Sequence, residues 1–279
     1  MSTSCRLCKS STELQFKKTI LGKYEIGFFR CNECRSLQTE TPYWLDESYG
    51  DNRRHLDVNA ASRAVAWQRL LFMIYRAFQL DSTAKLLDWG AGDGLLVRLL
   101  RDVGIDAYYR DPLATNNYAN GFEADGVEGT FDVVTAFEVW EHLPNPAGEI
   151  ANSLSEQPKL YIASTEIFSG QDDSWQYLNL MTGRHVFFYS EEAVRFIAES
   201  HGYAYKIAAG KRIMLYKPEF TDRQVSRATR LLSKGNSRLQ QAYFSILKKR
   251  SLALADRRKM NTLVQQAIEQ ANASREGAH

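Results

Sequence analysis

Residues 86–100 read LLDWGAGDGLLVRLL. Leu86 and Leu87, preceded by Ala84 and Lys85, have the look of a buried strand. The glycines break it, and Leu95 onward has apolar residues at helical spacing. A strand, a tight turn and a helix form the opening unit of an α/β sheet. The turn places glycine at 90, 92 and 94. That G-x-G-x-G spacing differs from the G-x-G-x-x-G of dinucleotide turns and from the G-x-x-x-x-G-K-[ST] of phosphate loops. Asp88, an acid at the strand end, is a poor neighbour for phosphate and suits a ligand carrying an amino group and positive charge. Gly90 and Gly92 lack a Cβ and let the backbone approach such a ligand closely.

The pattern continues in alternation. A helix over Leu95–Val103 ends at Gly104. IDAYYRD (105–111) is a second strand and TFDVVTAFEV (130–139) a third. A helix over Pro146–Leu154 and a strand KLYIAST (159–165) follow, then a helix from Ser190 to about His201. YAYKIAAG and RIMLYKP close the pattern as an antiparallel pair, expected at the sheet edge. Ahead of the turn, residues 61–80 carry dense apolar residues at helical spacing, and Asp81-Ser82-Thr83 breaks that helix. Strands alternating with helices predict a doubly wound, mostly parallel sheet of the α/β class.

All four cysteines fall in the first 34 of 279 residues, as Cys5-x-x-Cys8 and Cys31-x-x-Cys34. Two such knuckles, 22 residues apart, predict a zinc ribbon. Four thiolates leave no open coordination position, so the Zn²⁺ is expected to be structural.

The net charge of +2 hides an asymmetry. Residues 220–279 hold 12 Lys/Arg against four acids, so the remainder carries −6. This basic tail reads as helical, with Tyr243, Leu247, Leu254, Met260, Val264 and Ile268 as its apolar stripe. It is expected to pack on the body, on a second copy or on a partner protein. No apolar run reaches the ~18–20 residues of a membrane span. The N-terminus lacks the apolar core of a signal peptide, which points to the cytoplasm.

LLDWGAGDG resembles motif I of class I S-adenosylmethionine-dependent methyltransferases, hydrophobic-D/E-x-G-x-G-x-G. Further motifs extend the resemblance over residues 84–217. YYRDP places Asp111 where the family sets an acid against the cofactor ribose. FDVVTAFEVWEHLPNP is similar to the family's fourth-strand signature. HVFFYS resembles a segment of glycan-biosynthesis methyltransferases. The resemblance implies a seven-stranded Rossmann-like sheet that binds S-adenosylmethionine through Asp88, Gly90, Gly92, Asp111 and Phe137. Phe122 and Asp125 are the candidates for the adenine. The implied organisation is a zinc-ribbon module (1–40), a connector with a packing helix (41–83), a methyltransferase domain (84–219) and a basic helical extension (220–279).

Methyl transfer to a hydroxyl needs positioning and removal of a proton. Glu141, His142 and His185 are the candidate catalytic residues. One reading makes a histidine the general base. In the other, EVWEH is similar to a segment of small-RNA 2′-O-methyltransferases that holds Mg²⁺. The ligands carried over are Glu138, Glu141 and His142, with His185 as a fourth. The competing bland readings are a capping role for Glu141 and simple packing for His185. Trp175 and Tyr177 are placed to floor a ring-shaped acceptor or merely to close a lid, and Glu166 is a further acid near that strand.

These features favour O-methylation of a sugar hydroxyl, in polysaccharide or nucleotide-sugar metabolism, with a small-molecule or glycan acceptor. Alternatives are an RNA 2′-O-methyltransferase, a sugar C-methyltransferase and a non-catalytic scaffold that binds the cofactor. The acidic body and a ribbon with seven Lys/Arg against four Asp/Glu weigh against nucleic acid.

Overall fold

A computed structural model describes residues 4–50, 59–81, 83–234 and 251–276. Two sheets organise the chain. The smaller is antiparallel and uses β1 (Thr12–Ile20), β2 (Tyr24–Cys31) and β3 (Leu37–Thr39). After α1 (Leu45–Gly50) and α2 (Ala60–Phe78) the larger sheet begins. Its elements are β4 (Lys85–Trp89), α3 (Leu95–Asp102), β5 (Asp106–Arg110), β6 (Val133–Phe137), α4 (Pro146–Ser153) and β7 (Leu160–Ser164). A two-residue strand, β8 (Phe187–Phe188), returns to the small sheet. Then come α5 (Glu191–Ser200), β9 (Ala204–Ala208), β10 (Arg212–Tyr216), α6 (Asp222–Lys234) and α7 (Ala253–Glu276).

The large sheet runs β5-β4-β6-β7-β10-β9, with β4, β5, β6 and β7 mutually parallel. Both faces are covered, which explains its nearly continuous apolar strands. Leu86, Val133, Ile162 and Met214 meet α2, α3 and α6 on one side. Leu87, Val134, Tyr161, Ile213 and Leu215 meet α4, α5 and the cysteine knuckles on the other. Asn145 caps α4, its side chain accepting from Gly148 N, and Ser190 caps α5 through Ala193 N at 3.0 Å.

Among the described residues the sheet has six strands, not the seven expected. Residues 112–130 add only an isolated parallel bridge between Tyr109 and Glu123. Their polar side chains hold the local backbone in turns instead. Asp111 accepts from Leu113 N and Ala114 N at 2.8 Å each, and Asn116 accepts from Ala119 N at 2.8 Å. The closing hairpin forms the antiparallel edge of the sheet, as expected. Its second strand, β10, lies between β7 and β9, antiparallel to both. Ile213, Met214 and Leu215 are buried on both faces and suit an interior position, whereas β9 exposes Lys206 and suits the edge.

In the tail, Val225, Ala228 and Leu232 of α6 are buried in the core beside α2. Of the expected stripe, Met260 touches the body, against Gly121, while Leu254 and Val264 face outward. Leu254 and Val264 are 53% and 54% exposed, Tyr243 and Leu247 lie outside the described residues, and the Ile268 side chain is not described. Polar contacts also hold α7. Asp256 is buried between Arg101, at 2.9 and 3.0 Å, and Arg98, at 2.9 Å. Lys259 donates to Gly121 O, and Met260 lies over Gly121. Among the described residues no helix is long and apolar enough to cross a membrane.

Candidate active site

Open parallel sheets bind ligands beyond the carboxyl ends of their strands, where the order of connections reverses. Here that edge lies between β4 and β6. The glycine turn leaves β4, with Gly90, Gly92 and Gly94 all at positive φ (76°, 62° and 85°). A Cβ on Gly90 would lie 2.5 Å from the Val139 side chain, and one on Gly94 would meet Asn116 and Ala119. A Cβ on Gly92 would meet nothing within 4 Å. Gly92 therefore faces the open side of the turn, and Gly90 fits it against the loop after β6.

Asp111 spans the mouth of this turn. One carboxylate oxygen accepts from Gly92 N at 2.8 Å, while the other accepts from Leu113 N and Ala114 N. The acid is thus a turn cap, and its carboxylate has little capacity left for further hydrogen bonds. Asp88 lies beneath the turn, 4% exposed, and accepts from the Thr135 hydroxyl at 2.7 Å. Burial, with a smaller contribution from Asp111, pushes its carboxyl up to about 7. Phe137, at the end of β6, stacks face to face on Trp67 of α2 at 3.7 Å. Trp67 carried no functional signal in the sequence beyond its place on an amphipathic helix. Both adenine candidates have partners of their own. Phe122 is buried beneath the Arg101 and Lys259 cations, and Asp125 is exposed and pairs with Arg110.

On the other side of the β6 end, Glu138 adopts positive φ (55°) and turns the chain. Its carboxylate takes the Ser164 hydroxyl at 2.6 Å, and its N–H returns to the same oxygen at 3.0 Å. Glu138 stands apart from the ligand-like group and is exposed. The resemblance has it join Glu141 and His142; here its carboxylate is engaged by Ser164. A single helical turn, Trp140–His142, follows. Trp140 is wholly buried, donates to the Tyr161 hydroxyl at 3.1 Å and accepts from Tyr189 through its carbonyl. This anchor carries Glu141 into the interior.

Glu141 is 0% exposed, and neither of its carboxylate oxygens has a hydrogen-bond partner. It therefore caps nothing, contrary to the bland reading. The nearby hydroxyls of Thr165 and Tyr177 are 3.1 Å from each other. Burial and the Glu138 charge push the Glu141 carboxyl up to about 8. Potential ligand atoms of Glu141, His142 and His185 all lie within 4.8 Å of one another. The two imidazoles meet edge to face, their centroids 4.9 Å apart. Nδ1 of His142 is 3.1 Å from Arg184 O, and Nδ1 of His185 is 2.6 Å from Tyr177 O. A backbone carbonyl can only accept, so the protons belong on Nδ1 and each Nε2 keeps a lone pair. Burial lowers the His185 pKa to about 4, which keeps that ring neutral.

His185 also packs on Tyr177 and Phe188, so it is both a packed residue and a member of the group. Trp175 lies against Phe168, Tyr177 and Phe188 and walls this corner.

The four cysteine sulfurs lie within 4.8 Å of one another, with Cys5–Cys34 at 3.7 Å and Cys8–Cys31 at 3.4 Å. Four sulfurs ~2.3 Å from one Zn²⁺ would stand ~3.8 Å apart, so the thiols fit a tetrahedral ion. None is in a disulfide. Cys5, Cys31 and Cys34 share a core with Trp140, Leu143, Phe187 and Tyr189, so this cluster packs against the candidate site.

No curated protein matches the chain. Among solved structures, magnesium protoporphyrin IX methyltransferase from Synechocystis PCC 6803 is 16% identical, with a TM-score of 0.42 over 61% of this chain and 90% of that one. An O-methyltransferase family 2 protein from Planctomyces limnophilus is 16% identical, with a TM-score of 0.43 over 62% and 61%. A small RNA methyltransferase is 20% identical, with a TM-score of 0.36 over 55% and 25%. A family profile described as a methyltransferase domain matches residues 62–206, more than half the chain. The chain belongs to this methyltransferase-domain family.

Proposed function

We propose that the enzyme methylates a hydroxyl oxygen, with a sugar hydroxyl of a glycan or nucleotide-sugar as acceptor. The carrying observation is the buried, unpartnered Glu141 carboxylate converging with two Nε2 lone pairs. Such a group can receive a proton or bind a cation. The glycine turn, with Asp88 beneath it and Asp111 across its mouth, would hold the cofactor. Its sulfonium methyl would then face the Glu141 side of the β6 end. Phe137, backed by Trp67, would form the wall between them.

Glu141, His142 and His185 would be the ligands of a divalent ion. With Glu138 outside the group, the set is two imidazoles and one carboxylate. That composition suits Mn²⁺, Fe²⁺ or Co²⁺ better than the oxygen-preferring Mg²⁺. Such an ion would lower the pKa of a bound hydroxyl and fix its direction. The carbonyls of Arg184 and Tyr177 set both imidazole tautomers for this task. Without an ion, His142 is the better general base, because burial lowers the His185 pKa to about 4 and makes that ring a weak proton acceptor near neutrality. Cys5, Cys8, Cys31 and Cys34 would hold a structural zinc.

The test is an acceptor screen with labelled cofactor, run on chelator-treated protein with Mg²⁺, Mn²⁺ or no ion added. Transfer to sugar hydroxyls that rises with Mn²⁺ supports both parts. Full transfer without any ion rules out the metal and leaves the histidine base. Transfer confined to RNA, with binding that falls steeply as salt rises, rules out the sugar acceptor.

A further inference from the structure

We propose that Arg6, inside the first cysteine knuckle, is a positioning residue that sets the two histidines from the zinc centre. The proposal rests on reading Glu141, His142 and His185 as the reacting group. Arg6 stands between Cys5 and Cys8, and its backbone N–H is fixed by the Gln38 side chain at 2.9 Å. Its guanidinium leaves the knuckle and reaches two segments far along the chain. One nitrogen donates to Pro144 O at 3.5 Å, two residues after His142. The other donates to Val186 O, the residue after His185, and to the Thr39 hydroxyl at 3.4 Å. One side chain thus bridges the segments that carry the two imidazoles.

Val186 is where these restraints meet. Its carbonyl also accepts from Thr39 N at 3.1 Å, while the Thr39 hydroxyl donates to Glu40 O at 2.9 Å. Its N–H donates to Glu141 O at 2.8 Å. A displacement of Val186 therefore moves His185 and the Glu141 backbone together. Arg6 also lies over the Phe187 ring at 5.8 Å. Among the described residues no carboxylate pairs with it. A buried cation held only by neutral oxygens is costly unless negative charge lies near. Four thiolates around Zn²⁺ carry a net charge of −2, and Cys5 is the neighbouring residue. Metal loading would therefore supply the charge that keeps Arg6 in place, and loss of the metal would release it. The glycine turn shares none of these contacts.

The test uses the full-length, zinc-loaded chain labelled with ¹⁵N-histidine, in buffer free of other divalent ions. Imidazole tautomers are read by NMR, and S-adenosylhomocysteine affinity by calorimetry. In the unaltered protein His142 and His185 should both carry the proton on Nδ1. In Arg6→Ala, His185 should shift toward the Nε2–H form preferred by free imidazole. The affinity for S-adenosylhomocysteine should stay within about twofold, as expected for distant, uncoupled sites. Arg6→Lys, which can reach only one of the two carbonyls, should be intermediate. Zinc removal with a chelator should reproduce the Arg6→Ala spectrum. Unchanged tautomers in Arg6→Ala, or an equal loss at the cofactor turn, would overturn the proposal. If Arg6→Ala does not fold, Thr39→Val removes the hydroxyl that accepts from the Arg6 guanidinium, and an unshifted His185 there has the same force. Absence of S-adenosylhomocysteine binding in the unaltered protein would count against the cofactor reading, while the tautomers would still decide the role of Arg6.

Discussion

At the candidate cofactor edge, the groups that shape the site are mostly backbone. Three glycines at positive φ, the Gly92 N–H and two acids come from one short span, residues 88–111. At the reacting edge the groups are side chains, drawn from residues 141–185 and supported by Arg6 and Thr39. The first edge is a local motif folded on itself. The second exists only once distant segments meet. A short turn withstands changes elsewhere, whereas a group assembled over such separations depends on every contact that places it.

The contrast can be broken most sharply at the histidines. His142→Ala and His185→Ala should each lower turnover by about 10²–10⁴-fold, the usual worth of positioned proton transfer. Cofactor affinity should be unchanged by calorimetry. If both substitutions weaken cofactor binding as much as turnover, the two edges are one unit.

Asp88 gives the next largest effect. Its raised pKa leaves it neutral below about 7 in the free enzyme. A cofactor ammonium favours the charged form, so affinity should rise with pH up to about 7, by at most ~10-fold per unit, and then level. Asp88→Asn should flatten the profile. The sign for stability is opposite. Between the ordinary carboxyl value of 3.8 and about 7, the folded chain keeps a proton that the unfolded chain releases. The free enzyme should therefore lose stability as pH rises through that window, which thermal melts would show.

The smallest effect separates two glycines. Gly90→Ala drives a Cβ into Val139 and should lower the melting temperature more than Gly92→Ala. Gly92→Ala should cost only about 1–2 kcal/mol of backbone strain. Its new methyl enters the open space of the turn, so its loss of cofactor affinity should exceed that strain. Equal effects on melting and affinity in both variants would refute the assignment of Gly92 to the ligand face.

The same distinction governs what the sequence shows. The glycine turn, the alternating elements and the cysteine knuckles are local patterns, and each was readable from residue spacing. Glu141, His142 and His185 could be named from their residue types and neighbours, but not their convergence. The exclusion of Glu138 depends on one backbone angle and the Ser164 hydroxyl 26 residues away. The insertion of β10 depends on burial of both its faces, a signal visible in the run Ile213-Met214-Leu215. The missing strand follows from Asp111 and Asn116 capping turns where the family pattern expects a ladder. Arg6 had no signal of its own, because its partners are the carbonyls of Pro144 and Val186, and any residue type supplies a carbonyl.

The pairing of β8 with β3 has a consequence for how this chain is made. Leu37 faces Phe188, and Gln38 faces Phe187, across 150 residues of intervening chain. The cysteine knuckles and β3 leave the ribosome well before β8. The outer rim of β3 then stays unsatisfied until Phe187 and Phe188 emerge, many seconds later at typical synthesis rates. For that interval the nascent chain displays an open strand beside apolar Leu37, a template for pairing with another chain. Cutting the gene before β8 would make that transient exposure permanent, and removing the first 40 residues would instead strip β8 of its partner. Either truncation should therefore be recovered mainly from the insoluble fraction.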